Sequence, residues 1–301
     1  MPLSRSGILL IDKPEGPSSA QIVHQVKNIL AAKKVGHLGT LDPFASGLLL
    51  IGINEGTKIA DVFLRGTKHY HGVMVLGAET DTQDGTGRVL KKYPVSVITE
   101  NDLRALEENF TGALQQIPPM FSALKKDGVR LYRLARQGKE VPREPRPIRI
   151  DALRIDQINE WELKFEVTCS RGTYVRTLAA DMGSRLGCGA YLKTLRRVGC
   201  DHLDVAQAIR SEDLMKAAST AEIPLISLEK ALNHLRAVVW QSRLVSRLRL
   251  GQQEILTQIG SRQAGEDFVA ILAPRGGLAA LVKWSDEVPG GRWRVFRVFH
   301  C

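Results

Sequence analysis

The sequence predicts an α+β fold followed by a small β-rich domain. Candidate strands and helices alternate along the chain, but they lack the regular rhythm of a doubly wound parallel sheet. One segment, WELKFEVTCS, alternates apolar and polar residues as a half-buried strand does. Beyond about residue 235 the chain changes to short strand candidates separated by glycine, aspartate and proline. We therefore expect one domain over residues 1–235 and a second over 236–301.

The N-terminal segment predicts two buried strands with a helix between them. GILLIDK (residues 7–13) and LLLIGI (48–53) are apolar runs of strand length. The turn PEGPSS follows the first run and supplies a serine that can cap a helix with one apolar face. We expect this helical region to end by Gly36. A further helix is expected to begin at Thr57 and to turn Leu64 inward.

The central segment predicts a sheet interrupted by two helices. HYHGVMVLGAETDTQDGTGRVL is typical of two strands joined by an acidic turn. Thr99 and Asp102 then have the spacing of a capping box ahead of an apolar helix face. After the alternating strand, a helix is expected from Thr173 to Gly187. In the tail, the candidate strands are LRLGQQ, DFVAILA, GGLAALVKW and RWRVFRVF.

The charge balance points to a polyanionic partner. The 301 residues carry a formal charge of +10, with a sequence pI near 9.6. Residues 124–149, called the basic insert below, contain nine basic residues against three acidic ones. Such an excess suits contact with phosphates, and nucleic acid is the most plausible partner. A soluble enzyme that happens to be basic, with a solvated charged face, is the alternative.

Cysteines and motifs narrow the class of protein further. The four cysteines (Cys169, Cys188, Cys200 and Cys301) form no C-x-x-C pair and lie beside no histidine at zinc-ligand spacing, so we expect reduced thiols. No phosphate-binding loop, dinucleotide fingerprint or HExxH sequence is present. No apolar run approaches the length of a membrane span. We expect a cytoplasmic protein with no cofactor and no metal.

Residues 36–49, GHLGTLDPFASGLL, contain a single aspartate in an unusual setting. Asp42 precedes a proline, which favours extended backbone, and three glycines nearby allow the chain to turn sharply. Such a loop can present one carboxylate for chemistry. An Asx-type turn is the structural alternative that these residues alone leave open.

The complete string resembles the catalytic motif of the TruB family, the tRNA pseudouridine-55 synthases. Four other segments are similar to TruB motifs and occur in the same order: LLIDKPEGPSS, KHYHGVMVLGAETDTQDGTG, PPMFSALKKDGVRLYRLARQGKEVPREPRPI and CSRGTYVRTLAADMGSRLGCGAYLKTLRR. Together these segments cover most of residues 7–200. The resemblance implies the pseudouridine synthase fold, a mixed and mostly antiparallel sheet flanked by helices. It also implies, more weakly, that the tail is a PUA-like RNA-binding domain.

The resemblance assigns roles to the residues of the motifs. The family isomerises uridine 55 in the T-loop of tRNA, which requires the base to be flipped out of its stack. Asp42 matches the catalytic aspartate, either as a nucleophile at the sugar or as a base that removes a ribose proton. Tyr70 matches the tyrosine that stacks on the flipped base, His37 the histidine beside the flipped nucleotide, and Arg176 the arginine that pairs with the aspartate.

Further positions are implied to support the pocket or the RNA. Tyr174 and Leu195 match residues that line the pocket, and Lys13 matches a residue of the N-terminal motif that we expect to support it without doing chemistry. The remaining basic residues are expected to bind the T-arm of tRNA: Lys125, Lys126, Arg130, Arg133, Arg143, Arg146, Arg196 and Arg197.

Two other functions stay open at this point. A non-catalytic RNA-binding protein or tRNA-folding chaperone on the same scaffold would bind tRNA without making a new nucleoside. A synthase that works inside a guide-RNA complex is disfavoured by the bacterial-type basic insert and the short tail. We expect a monomer that needs no guide RNA and no obligate protein partner.

Overall fold

The computed structural model describes residues 3–220, 222–287 and 290–300. Cys301 lies outside the described residues, whereas Cys169, Cys188 and Cys200 are buried free thiols. The strands of the first domain are β1 (Gly7–Lys13), β2 (Val35–His37), β3 (Ser46–Ile53), β4 (Lys68–Leu76), β5 (Ala78–Thr80), β6 (Val89–Lys92), β7 (Gly112–Gln116), β8 (Lys125–Lys126), β9 (Val129–Arg130), β10 (Arg146–Gln157), β11 (Glu162–Cys169), β12 (Ala190–Cys200), β13 (Leu203–Asp204), β14 (Ile209–Arg210) and β15 (Leu225–Ile226). Its α-helices are α1 (Ser19–Leu30), α2 (Ala60–Arg65), α3 (Glu100–Asn109), α4 (Leu131–Arg136), α5 (Val175–Arg185), α6 (Leu214–Ser219) and α7 (Leu228–Ala231).

An eleven-stranded mixed sheet organises this domain. Its central order is β14-β1-β3-β12-β4-β11-β10-β7, with β2 paired to β3, β13 to β12 and β15 to β1. The β1–β14 and β3–β12 pairs are parallel, and the other pairs in this sheet are antiparallel. The prediction of a mixed, mostly antiparallel sheet flanked by helices is confirmed.

Local sequence signals explain where two of the helices begin. Ser18 caps α1 in a capping box with Gln21, and Thr99 caps α3 in a capping box with Asp102. Helix α1 ends at Leu30, before a left-handed residue at position 31, so the predicted end near Gly36 is too late.

The prediction for the segment after β3 is also wrong in detail. Residues Asn54–Ile59 form a 3-10 helix, and α2 begins only at Ala60. This shift changes which side chains face the sheet, and Leu64 is consequently 47% exposed.

The C-terminal domain is a four-stranded sheet packed on a helix. Its strands are β16 (Ala237–Val239), β17 (Phe268–Leu272), β18 (Leu278–Ser285) and β19 (Arg292–Val298), in that order across the sheet, and its helical segments are α8 (Ser242–Arg249) and a 3-10 helix (Gln253–Ile259). The predicted strand LRLGQQ is wrong, because it spans the end of α8 and the turn after it. Val245 and Leu248, three residues apart, lie on the buried side of α8.

One apolar core joins the two domains. Side chains from β1, β3 and α2 of the first domain and from β17 and β18 of the second form a single buried cluster, which includes Ile8, Leu10, Leu48, Leu50, Phe63, Phe268, Ala270, Leu278, Leu281 and Phe299. Polar contacts reinforce it, because Lys58 donates to the Val298 carbonyl at 2.9 Å and Arg65 lies 3.4 Å from the Asp267 carboxylate. The two sheets are therefore separate, but the cores are not. No helix within the described ranges has the length and apolarity needed to cross a membrane.

Candidate active site

Asp42 lies in a loop whose backbone carbonyls are individually held. This Asp42 loop, residues 38–45, connects the antiparallel strands β2 and β3. Five consecutive carbonyls in it accept hydrogen bonds: Gly39 and Thr40 from Arg197, Leu41 from Ser19, Asp42 from the amide of Ala45, and Pro43 from Lys13 and the amide of Gly16. The Asp42 side chain remains 39% exposed. The loop thus presents one accessible carboxylate on an immobilised backbone.

Arg176 contacts the Asp42 carboxylate directly. Its Nε donates to Asp42 Oδ2 at 2.8 Å, and its side chain is only 5% exposed. The other two nitrogens of the guanidinium donate to the carbonyls of Thr82 and Phe121 at 2.8 and 2.9 Å. Since these carbonyls fix the plane of the guanidinium, Asp42 faces a permanent cation of fixed orientation.

Asp84 is a second acid at this arginine, and the sequence reasoning missed it. Its Oδ2 lies 3.6 Å from Arg176 Nη1, and its side chain is 6% exposed. Its Oδ1 accepts from Thr82 Oγ1, Thr86 Oγ1 and the Thr86 amide at 2.8, 2.6 and 3.0 Å. These residues belong to the acidic turn, which the sequence identified as a turn without a role. The available signal was an aspartate between two threonines, each two residues away.

Lys13 also supports the Asp42 loop. It is fully buried, and its Nζ donates to the carbonyls of Pro14, Pro17 and Pro43 at 2.8, 2.9 and 3.2 Å. Burial lowers the pKa of Lys13 to about 8, against the opposing influence of Glu15 and Asp42. The N-terminal turn and the Asp42 loop are therefore tied together by one ammonium group.

The RNA-binding role predicted for Arg197 requires a correction. It is 2% exposed, so the prediction that it binds RNA directly is wrong. Its Nε donates to the Leu48 carbonyl at 2.7 Å, and its terminal nitrogens reach Thr40 and Gly39 at 3.3 Å each. Arg196 points to the other face of β12, where it is 41% exposed and binds Asp12 through two hydrogen bonds. Strand alternation separates these two adjacent arginines.

Tyr70 and His37 both lie within the influence of Arg197. Tyr70 stands opposite Arg197 in the β4–β12 pair and is partly buried. Burial raises the pKa of the Tyr70 phenol to about 12, although the adjacent guanidinium opposes the shift. Burial and Arg197 both lower the pKa of His37, whose buried Nδ1 has no hydrogen-bond partner among the described residues. At neutral pH both rings are therefore predominantly uncharged.

Tyr174 and Leu195 flank this group. Tyr174 caps the start of α5, where its backbone exchanges two hydrogen bonds with the Gln116 amide group, at 2.8 and 3.1 Å. Burial raises the pKa of its phenol, and Asp42 adds to this rise. Leu195 is 6% exposed and packs in the core beneath the sheet, two residues before Arg197. Tyr174 therefore lies within the electrostatic influence of Asp42, and Leu195 belongs to the main apolar core.

The basic insert contains the short hairpin β8–β9, helix α4, the loop that follows α4 and the start of β10. Four of its predicted RNA-binding side chains are exposed: Lys125, Arg130, Arg133 and Arg146. Two are partly buried and hold the insert together, since Lys126 donates to the Pro142 carbonyl and Arg143 to the Pro118 carbonyl. Within residues 3–220, 222–287 and 290–300, no group of three His, Cys, Asp or Glu side chains is arranged to hold a metal ion.

Comparison with known proteins identifies the family. The N-terminal domain of the TruB family pseudouridylate synthases matches residues 27–175, and the tRNA pseudouridylate synthase B C-terminal domain matches residues 176–239. The chain belongs to the TruB family. Its TruB relatives include tRNA pseudouridine synthase B of Geobacter sulfurreducens, 46% identical over 248 residues that cover 81% of each chain. That of Syntrophotalea carbinolica is 38% identical over 301 residues, which cover 98% of each chain.

Solved structures give the same fold for this TruB chain. The Cbf5-Nop10-Gar1 complex contains a chain that matches 98% of this protein with a TM-score of 0.72 and 24% identity, covering 85% of that chain. The archaeal box H/ACA sRNP Nop10-Cbf5 complex matches with a TM-score of 0.70 and 23% identity, over 98% of this protein and 86% of that chain. The pseudouridine synthase fold with a β-rich C-terminal domain is thereby confirmed.

Proposed function

We propose that this protein is a tRNA pseudouridine synthase that isomerises uridine 55 in the T-loop, with Asp42 as its catalytic carboxylate. The observation that carries the proposal is the 2.8 Å ion pair between Asp42 and the buried Arg176, in a loop that leaves the carboxylate accessible. The names of the curated relatives, tRNA pseudouridine synthase B, support the substrate.

The reaction conserves every atom of the nucleotide. The bond between C1′ of the ribose and N1 of uracil breaks, the detached base rotates, and C1′ bonds to C5 of the same base. The proton displaced from C5 is lost while N1 gains one, so no external group is consumed. Asp42 can begin the sequence either by attacking the sugar or by removing a ribose proton, and both routes require the ionised carboxylate. Arg176 holds this carboxylate in one orientation through its 2.8 Å hydrogen bond.

Flipping the uridine into the site costs a few kcal/mol, which protein contacts must offset. Tyr70 offers an aromatic face for the extruded base, and such stacking contributes about 1–3 kcal/mol. Its phenol and the imidazole of His37 are both neutral near pH 7, so neither adds charge beside an uncharged uracil. Tyr174 and Leu195 would keep the detached base enclosed until the new bond forms.

The rest of the substrate falls to the basic surfaces. We assign the T-arm phosphates to the exposed residues of the basic insert and to Arg196. The C-terminal domain, over residues 236–300, is assigned a PUA-like role in binding the remainder of the tRNA. In this proposal the protein acts in the cytoplasm as a monomer, without a guide RNA.

The test is incubation of the purified full chain with an unmodified T-arm stem-loop, followed by mapping of pseudouridine. We expect one new pseudouridine at the position of uridine 55. Asp42→Asn should lower the rate at least about 1,000-fold while keeping RNA affinity, as the loss of a reacting group does. Asp61→Asn is a matched control, since Asp61 is also 39% exposed and paired with an arginine, at 3.1 Å. RNA binding without any new nucleoside would instead favour a chaperone, and a fully active Asp42→Asn enzyme would refute the mechanism.

A further inference from the structure

We infer that Arg197 is a positioning residue for the reaction, which sets the Asp42 loop and Tyr70 in their mutual arrangement. The inference rests on the proposed function and extends it to a residue that cannot touch the substrate, because it is 2% exposed. Its guanidinium occupies the space between β12, the Asp42 loop and β4.

Arg197 holds the Asp42 loop at both ends. Arg197 binds the carbonyl of Leu48, just after the loop, and the carbonyls of Gly39 and Thr40, just before Asp42. Its three donor nitrogens therefore clamp both ends of the turn that presents the carboxylate. Breaking these bonds would leave the buried carbonyls of Leu48 and Gly39 unsatisfied, so the clamp favours one loop conformation.

A glycine on the neighbouring strand makes room for Arg197 in this position. Gly47 pairs with Arg197 in the parallel β3–β12 ladder and has a φ of +99°. A Cβ at Gly47 would collide with the backbone nitrogen and carbonyl oxygen of Arg197. The glycine thus allows β3 to approach β12 closely enough for the Arg197 side chain to reach back under the loop.

Arg197 also lies next to an aromatic ring of the site, because it stands opposite Tyr70 in the β4–β12 ladder. Its charge lowers the pKa of the Tyr70 phenol, against the larger effect of burial. Its charge also adds to burial in lowering the pKa of His37. One buried cation therefore binds the loop that bears Asp42, neighbours the tyrosine that would receive the base, and acts electrostatically on the histidine.

The experiment compares Arg197→Met and Arg197→Lys with the wild type in single-turnover assays on the T-arm stem-loop. A displacement of about 1 Å at a reacting group can lower a rate about 100-fold, and we expect this loss for Arg197→Met with RNA affinity changed less than about threefold. Arg197→Lys should recover part of the rate, because an ammonium restores the charge and some of the carbonyl contacts.

The control must separate positioning from general destabilisation. Lys68→Met removes another buried cation, 8% exposed, whose Nζ donates to the carbonyls of Phe63, Leu64 and Gly66 at the end of α2. We expect it to lower the thermal midpoint but to keep the single-turnover rate of the folded fraction within about twofold of wild type. Equal rate losses in Lys68→Met and Arg197→Met, compared at equal folded fraction, would overturn the inference.

A second readout does not depend on catalysis. The imidazole of His37, followed by NMR and assigned with His37→Gln, should titrate at a higher pH in Arg197→Met than in wild type, because a positive charge has been removed. An unchanged His37 titration would also overturn the inference. If the wild type made no pseudouridine but His37 shifted as expected, the proposed function would fail while the placement of Arg197 would stand.

Discussion

The Asp42 loop and the basic insert are built in opposite ways. In the loop, five consecutive carbonyls are held by Arg197, Ser19, Lys13 and backbone amides, and the cations that hold them are buried. In the insert, seven of the nine basic residues are exposed, on a hairpin of two-residue strands, a six-residue helix and the segment that follows. Both regions are rich in positive charge. Inside the molecule that charge fixes a backbone, whereas on the insert it is available to an external polyanion.

Substitutions in the two regions should therefore affect different properties of the protein. A fixed carboxylate contributes to the rate through alignment with the reacting atoms, which small displacements destroy. Exposed arginines contribute to affinity through phosphate contacts that salt weakens. Substitutions in the two regions should therefore separate the chemical step from RNA binding.

After Asp42 itself, a large loss of rate is expected at Arg176, which orients the Asp42 carboxylate. Arg176→Lys should lower the single-turnover rate about 100-fold, since lysine cannot hold Asp42 and the carbonyls of Thr82 and Phe121 at once. Asp84→Asn should have a smaller effect, about tenfold, because it weakens only the orientation of Arg176. Single-turnover rates at saturating stem-loop measure both.

Arg185→Lys is the control for Arg176→Lys, since Arg185 is exposed at the opposite end of α5. It should leave the rate unchanged within about twofold. If Arg176→Lys weakened RNA binding and left the rate unchanged, the proposed difference between the Asp42 loop and the basic insert would be contradicted.

An intermediate effect is expected in the basic insert. The double variant Arg130→Gln/Arg133→Gln should weaken stem-loop binding about tenfold and reduce the salt dependence of binding by about one unit of logarithmic slope per lost phosphate contact. The rate at saturating RNA should not change. Fluorescence anisotropy at several salt concentrations measures the slope.

The matched control neutralises two exposed arginines on α3 and α5, as Arg104→Gln/Arg185→Gln. It changes the net charge of the protein equally but should leave the slope nearly intact. An equal loss of slope in both double variants would show that net charge, and not the insert, governs binding.

The smallest effect is expected from pH at Lys13. With a pKa of about 8, the side chain is charged below pH 8 and neutral above it, and a neutral amine has two protons for its three carbonyl acceptors. We expect the single-turnover rate to fall about two- to threefold between pH 7 and 9 as the Pro43 tether weakens.

Stability should move in the opposite direction over this range. The folded pKa of Lys13 lies below the ordinary value of 10.5, so the unfolded chain binds more protons between the two values. The Lys13 contribution to the free energy of unfolding therefore rises with pH there. Lys13→Met should lack this alkaline decrease in rate. A parallel fall of rate and thermal midpoint in the wild type would contradict the assignment.

The sequence predicted those features that depend on neighbouring residues. The serine cap of α1, the capping box at Thr99 and the alternation in β11 involve contacts within a few positions, and the structure shows all three. The Asp42–Arg176 pair, 134 positions apart, was anticipated only through family resemblance. No local pattern specifies such a contact.

The sequence predictions failed where a long-range contact determines which way a side chain points or what it binds. Whether Arg196 or Arg197 turns inward depends on how β12 pairs with β3 and β4, which composition does not reveal. The alternation itself held a clue, since an inward Leu195 implies an inward Arg197 two residues later. The role of Asp84 likewise becomes visible only when α5 brings Arg176 to the acidic turn.

The apolar cluster that joins β1 and β3 to β17 and β18 also fixes the position of the second sheet. Because the second sheet shares buried side chains with β3, the strand that follows Asp42, the C-terminal domain cannot move freely relative to the active site. Any part of an RNA that the C-terminal domain binds is then held at a fixed distance from the Asp42 carboxylate. The protein would therefore select its substrates by the distance between the reacting uridine and the region that the C-terminal domain binds. An RNA in which this distance differs could occupy either site, but not both at once.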